Sequence, residues 1–204
     1  MRGVLLLNGE PYTGKIDAEN AFVVCCDGAY EWAKDKVEID ENVGDFDSLP
    51  YMPAPPPAKV YPSQKNHTDG EIGLARLLEI GCKEIAVYGG GGGREDHFAG
   101  NLHLLYAALL RGARAEMLTA SARIFLGRGR VEMEGEKGKT VSLLPFGGDA
   151  HIIDGEGFFY SLRDLTLSYG SCRGLSNVVM AERARFDCDR GTVLIFVNRG
   201  GKTV

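Results

Sequence analysis

The chain has 204 residues, 44% of them hydrophobic and 25% charged, which is the composition of a globular protein of one domain or two small ones. A formal net charge of −5 offers no basic surface to nucleic acid or to an anionic membrane. The five scattered cysteines contain no C-x-x-C pair, which excludes a zinc ribbon or a thioredoxin-like site and reads as buried thiols in a reducing compartment.

In chain order, "GVLLL" and "FVVCC" read as buried strands, apolar and stopped by polar residues or glycine. The apolar run that opens the chain is too short for a signal peptide or a membrane span, so no membrane partner and a cytoplasmic location are expected. The segment "TDGEIGLARLLEIG" starts with Thr68 and Glu71 at capping-box spacing, puts Ile72, Ala75 and Leu78 on one face, and can close at Gly81. "EIAVYG" is a further strand, and "DHFAGNLHLLYAALLRG" a second helix with Phe98, Leu102, Leu105 and Leu109 at the 3–4 spacing. "AEMLTA" closes the alternation, which implies βαβ units and a parallel sheet covered on both faces. From Ala122 onward the chain turns to short alternating runs with no helical pattern. The expected fold class is therefore α/β: a parallel-sheet nucleotide-binding domain over 1–121, then an all-β sandwich over 122–204.

"GEPYTGKI" nearly spells a phosphate-binding P-loop, but Ile16 stands where Ser or Thr should ligate magnesium. The next strand also follows too soon for the required helix, so the stretch reads as a surface loop. In an open parallel sheet, ligands gather beyond the carboxyl ends of the strands. Asp27 and Gly28, Asp45 and Asp47, the stretch Lys65 to Asp69, and Arg94, Asp96 and His97 all fall at such ends. Each admits a plain reading: a solvated turn, a helix-terminal acid, a flexible glycine run. Together they form the donor set of a magnesium–nucleotide site. Magnesium takes carboxylate and phosphate oxygens, Lys and Arg contact the same phosphates, and Gly92 and Gly93 allow backbone N–H groups to approach an anion.

The stretches "GDFDS", "KNHTDGE", "GGGREDHFAGN", "VSLLPF" and "LSN" resemble, in order and spacing over nearly the whole chain, the thiamin pyrophosphokinase family. That resemblance implies a typically homodimeric enzyme that uses magnesium to transfer pyrophosphate from ATP to the hydroxyethyl oxygen of thiamin, releasing AMP. It implies that Asp45, Asp47 and Asp69 ligate the metal and that Asp27 lies beside the nucleotide. Lys65 and Arg94 would hold phosphates, with Asp96, His97 and Asn101 completing the ATP pocket. Asp69 or Asp96 would accept the alcohol proton. Ser176 and Asn177 would contact the thiamin pyrimidine across the dimer interface. The chain departs from the family pattern at Ala29, where a glycine is usual, and at Asn66, where an aspartate is usual. It also departs at Val178, where a glutamate often follows, and at Phe159, which precedes Tyr160 in "GFFYSL". A related pyrophosphokinase with another hydroxymethyl acceptor is the nearest alternative. A metal-dependent glycosyltransferase and a non-catalytic nucleotide sensor are more distant ones.

Overall fold

The computed structural model describes residues 1–47, 49–57, 60–62 and 66–200. The chain is mixed α/β and divides into two compact units, Met1–Ala120 and Ser121–Val204.

The first unit is built on five parallel strands: β1 (Arg2–Leu6), β2 (Ala21–Cys26), β3 (Glu41–Val43), β4 (Glu84–Tyr88) and β5 (Arg114–Leu118). They lie in the order β5-β4-β1-β2-β3, so β1 is central and the chain reverses direction across the sheet between β1 and β4. Helices α2 (Asp69–Glu79) and α3 (Glu95–Leu110) and the short α1 (Ala29–Ala33) are the helical elements among the described residues. Alternation along β1 explains the two buried faces. Val4 and Leu6 join a core cluster with Tyr12, Ala29 and Tyr30 on the α1 side. Gly3 and Leu5 meet α2 on the other: a Cβ on Gly73 would stand 2.6 Å from Leu5 Cδ1 and 2.9 Å from Cys26 Sγ. Only a glycine lets that helix lie so close to the sheet.

Two expectations about helix faces need correction. In α2 the buried residues are Gly70, Gly73, Leu74 and Leu77, with Ile72, Ala75 and Leu78 half-buried. In α3 Leu105 is buried as expected, together with Leu104 and Ala108, whereas Phe98, Leu102 and Leu109 are half-buried. Both helices share one sheet face and contact each other, and small residues mark the line of closest approach that a hydrophobic count overlooks. The near-P-loop stretch is a loop, but an anchored one: Tyr12 and Ile16 are buried, and the Tyr12 ring packs 4.9 Å from that of Tyr88.

The second unit is wholly antiparallel. Strands β6 (Ala122–Glu134) and β11 (Arg183–Asn198) form a long ribbon with a register shift between Cys188 and Val193. On the other edge of β11, β8 (Ala150–Glu156) pairs with the first half and β7 (Thr140–Pro145) with the second. Strand β9 (Leu165–Leu167) extends β8, and β10 (Asn177–Val178) extends β7. Ala184, Phe186 and Cys188 point inward before the shift; Val193, Ile195 and Val197 do so after it. The inward set changes from even to odd positions, and the bulge supplies that change of phase. Side chains of both halves meet in a single core with Met133, Leu143 and Ile152. Of the cysteines, four are buried, whereas Cys172 is exposed, against the expectation for that residue. No helix among the described residues is long and apolar enough to cross a membrane.

Two stability predictions follow from named contacts. Thr68 Oγ1 accepts from Glu71 N at 3.2 Å and Glu71 Oε2 accepts from Thr68 N at 2.8 Å, a complete capping box on α2. Thr68→Ala is expected to cost about 1 kcal/mol in urea unfolding. His151 on β8 bonds Asp189 through Nδ1 at 2.7 Å and Asp164 through Nε2 at 3.1 Å. Asp189 first, then Asp164, raises its pKa above the ordinary 6.5. The protonated ring therefore stabilises the fold fully below about pH 6.5, and the gain is lost as pH rises through the raised value. Melting temperature should fall from pH 6 to pH 8, by less in His151→Gln.

Candidate active site

A cavity of about 1330 Å³ opens at the carboxyl ends of the strands of the first unit, above the ~300–1,000 Å³ common for small-ligand sites. Its lining includes Asp27, Asp45 and Asp69, Gly92 and Gly93, and Arg94, Asp96, His97 and Asn101. Most of the first-unit residues singled out in the sequence thus face one space. Lys65 lies outside the described residues.

The acidic end is built by the backbone. Asp27 follows β2 with φ +45°, and its N–H donates to Val43 O at 2.8 Å, tying it to the end of β3. Gly44 follows at φ +150°, and a Cβ there would lie 3.0 Å from Asp27 Cβ. A glycine is needed both for that conformation and for the contact. The chain then turns through Phe46, φ +58° and buried, while Asp47 N donates to Asp45 Oδ1 at 3.3 Å. The result is that Asp27, Asp45 and Asp47 each bring one carboxylate oxygen within 4.8 Å of the others. Two unit charges at that range repel by about 1 kcal/mol in water and roughly 3–4 kcal/mol at a surface-like dielectric, so the arrangement gains from a cation. An all-oxygen, all-carboxylate donor set suits a hard divalent ion.

Asp69 is placed differently from Asp45 and Asp47. It is the first residue of α2, its carbonyl accepts from Cys26 Sγ at 3.3 Å, and it faces the cavity without joining the group of three acids. The acid that closes the group is Asp27, which the sequence placed beside the nucleotide.

The glycine loop after β4 is knitted to the loop after β1. Leu7 N donates to Tyr88 O at 2.9 Å, Gly9 N to Gly89 O at 2.8 Å, and Glu10 N to Gly91 O at 2.8 Å. Gly92 and Gly93 adopt φ +66° and +65° immediately before α3. Asn101 reaches back from α3 and donates through Nδ2 to Gly90 O at 2.9 Å, so its side chain holds the loop. Arg94 makes a two-pronged pair with Asp96, Nη2 to Oδ2 at 2.6 Å and Nε to Oδ1 at 3.1 Å. Asp96 Oδ1 also accepts from His97 N at 3.0 Å. The Arg94 hydrogen bond holds the Asp96 carboxyl below its usual range, which makes Asp96 a poor proton acceptor.

Gly28 lies beside this cavity rather than among its lining residues. It is buried, with the Asn8 amide where a side chain would go: a Cβ would be 2.4 Å from Asn8 Nδ2. Asn8 and Glu10 are lining residues that the sequence reading missed. They follow the central strand, where the strand-end rule places ligand groups, in the stretch that reads from sequence as a surface loop.

In the second unit Ser176 is exposed, with φ +60°, and its N–H donates to Ser142 Oγ at 3.1 Å. Asn177 is 4% exposed. Its Oδ1 accepts from Tyr160 N at 2.9 Å and Val178 N at 2.8 Å, and its Nδ2 donates to Tyr160 O at 2.9 Å.

Comparison with known proteins is consistent along the chain. The family model for "Thiamin pyrophosphokinase, catalytic domain" matches residues 14–117, and that for "Thiamin pyrophosphokinase, vitamin B1 binding domain" matches residues 130–193. The thiamine pyrophosphokinase of Bacillus subtilis (strain 168) is 30% identical over 163 residues, covering 76% of this chain and 76% of that protein. Among solved structures, thiamine pyrophosphokinase from Bacillus subtilis superposes with a TM-score of 0.86 at 23% identity, covering 98% of this chain and 99% of that one. Thiamin pyrophosphokinase from Geobacillus thermodenitrificans does so at 0.85 and 23%, covering both chains fully at 100%. The structures establish a shared fold. With both family models matching in order and a relative of that identity, the chain belongs to the thiamin pyrophosphokinase family.

Proposed function

We infer that this chain transfers pyrophosphate from ATP to the hydroxyethyl oxygen of thiamin, giving thiamin diphosphate and AMP. The observation that carries the reading is the convergence of Asp27, Asp45 and Asp47, the first two of which line a cavity that also presents the glycine loop and Arg94, all within the stretch matched by the catalytic-domain model. On this reading the first unit is the nucleotide-binding domain. The second, whose two ribbon halves share one core, is a β-sandwich that takes the vitamin.

The donor set fits magnesium, with Asp45 and Asp47 as ligands, Asp27 as the third acid of the group, and Asp69 facing the same cavity from α2. When bound, the ion neutralises phosphate oxygens and so lowers the cost of charge on the transferred group. The protein's own residues do the rest. The N–H groups around Gly92 and Gly93, at the start of α3, cradle phosphate oxygens. Arg94 changes partner from Asp96 to phosphate, or shares its five donors between them. The thiamin hydroxyl oxygen bonds to the β-phosphorus as the bond from that phosphorus to the α–β bridging oxygen breaks, and AMP leaves with the bridging oxygen. The hydroxyl proton passes to a carboxylate, for which Asp69 is proposed; Asp96, paired with Arg94 and accepting from the His97 N–H, is a poor acceptor. Little covalent chemistry is asked of the protein, so positioning and charge neutralisation dominate. Lys65 is proposed as a second phosphate contact. The family resemblance supports a homodimer, and the buried thiols support a reducing, cytoplasmic setting.

Incubation with ATP, magnesium and thiamin should yield AMP and thiamin diphosphate in equal amounts, and no AMP without thiamin. Asp47→Ala is expected to abolish turnover with an unchanged melting temperature; wild-type-like AMP release would refute the acidic grip. Arg94→Ala should lower kcat/KM for ATP by about a hundredfold or more, because it removes a charge-assisted contact to the transferred group.

A further inference from the structure

The pair Ser176 and Asn177 invites the view that both side chains touch the vitamin, but their surroundings differ. Ser176 is exposed, whereas the Asn177 side chain is buried and turned onto the main chain. Its amide closes both peptide groups of Tyr160, accepting from the N–H at 2.9 Å and donating to the C=O at 2.9 Å, as a neighbouring strand would. Its oxygen also takes the Val178 N–H at 2.8 Å. Around it, Phe159 N donates to Val178 O at 2.9 Å and Met180 N to Gly157 O at 2.7 Å. Phe158 bridges Val179 antiparallel. The segment from Gly157 to Tyr160 is thus a short strip laid along β10, and Asn177 supplies the side-chain bonds at its end.

That strip carries exposed aromatic rings. Phe159 is 51% and Tyr160 61% exposed, and their rings meet edge to face with centroids 5.0 Å apart. Two large rings held in water beside each other cost free energy unless they serve a ligand or a partner. Thiamin is a pyrimidine joined to a cationic thiazolium, so aromatic faces can take it by stacking and by cation–π attraction. Both residues lie in the stretch matched by the vitamin B1 binding model.

We propose that Asn177 is a positioning residue for the vitamin: its side chain does not contact thiamin but fixes the Tyr160 peptide, and through it the ring that thiamin meets. The inference rests on the thiamin pyrophosphokinase reading given above. It predicts that the contributions of Asn177 and Tyr160 to thiamin affinity are one contribution counted twice.

A double-mutant cycle tests this, read both as the Kd of thiamin by calorimetry without ATP and as KM for each substrate. Tyr160→Ala and Asn177→Ala should each raise the thiamin Kd by about tenfold, the scale of a lost aromatic contact with a cation, with KM for ATP within about twofold of wild type. Tyr160→Phe should bind thiamin like wild type. The double variant should be no weaker than Tyr160→Ala beyond about twofold, whereas independent contacts would multiply to about a hundredfold. If Asn177→Ala does not fold, Asn177→Asp replaces it, since it keeps the two accepted hydrogen bonds and loses the donated one. Multiplying effects, or an unchanged Kd in Tyr160→Ala, overturn the inference while leaving the proposed function standing. A wild-type protein that neither binds thiamin nor forms AMP from ATP overturns both.

Discussion

Three carboxylates within 4.8 Å of one another set the terms for the first unit. They repel, so backbone geometry must hold them, and that geometry is itself strained. Asp27 and Phe46 both occupy left-handed conformations that non-glycine residues adopt at a cost of order 1 kcal/mol or more. Burial of Phe46 and the bond from Asp27 N to Val43 O offset that cost. So does the bond from Tyr61 N to Gly44 O, at 2.9 Å. A nonpolar ring wedged between two acids, which looks incongruous in "GDFDS", is the anchor that lets its neighbours face outward. The repulsion is thereby stored where a cation can relieve it.

Two other stretches follow a different logic, one in each unit, in which neutral side chains are spent on main chain. Asn101 holds Gly90 and Asn177 holds Tyr160, each through an amide that could have met a ligand. Amides suit this task because one planar group both donates and accepts, matching a peptide unit. A motif residue can thus be engaged in holding main chain. The pairing of Arg94 with Asp96 is related: it keeps a long, exposed side chain at the helix start, where phosphate would arrive, at little entropic loss when the partner changes.

How much of this was legible depended on whether the information was local. The capping box of α2 was readable because both partners lie within one turn, and the structure forms it. The β-rich second half was readable from period-two alternation, although the bulge between Cys188 and Val193, which shifts the inward set by one position, was not. Helix α1, at five residues, is too short to show a periodicity, and strand β3, at three, too short to show alternation. The face of α2 was misjudged by about a residue because its packing is decided by where Gly73 permits close approach, not by where hydrophobic residues are most numerous; in α3 Leu105 is buried as expected, with Leu104 and Ala108 beside it.

By itself the sequence determined the alternation of elements, the stretches that carry the chemistry, and the family to which they point, since these are properties of residue order and type. Which acids share a focus was decided only in three dimensions. Asp27 and Asp69 flank Asp45 and Asp47 at similar distances in sequence, and it is Asp27 that completes the group because β2 and β3 are hydrogen-bonded neighbours. Likewise no reading of "LSN" could tell that Ser176 faces water and Asn177 faces backbone. Residue type sets what a side chain can bond to; the register of the strands beside it sets what it does bond to.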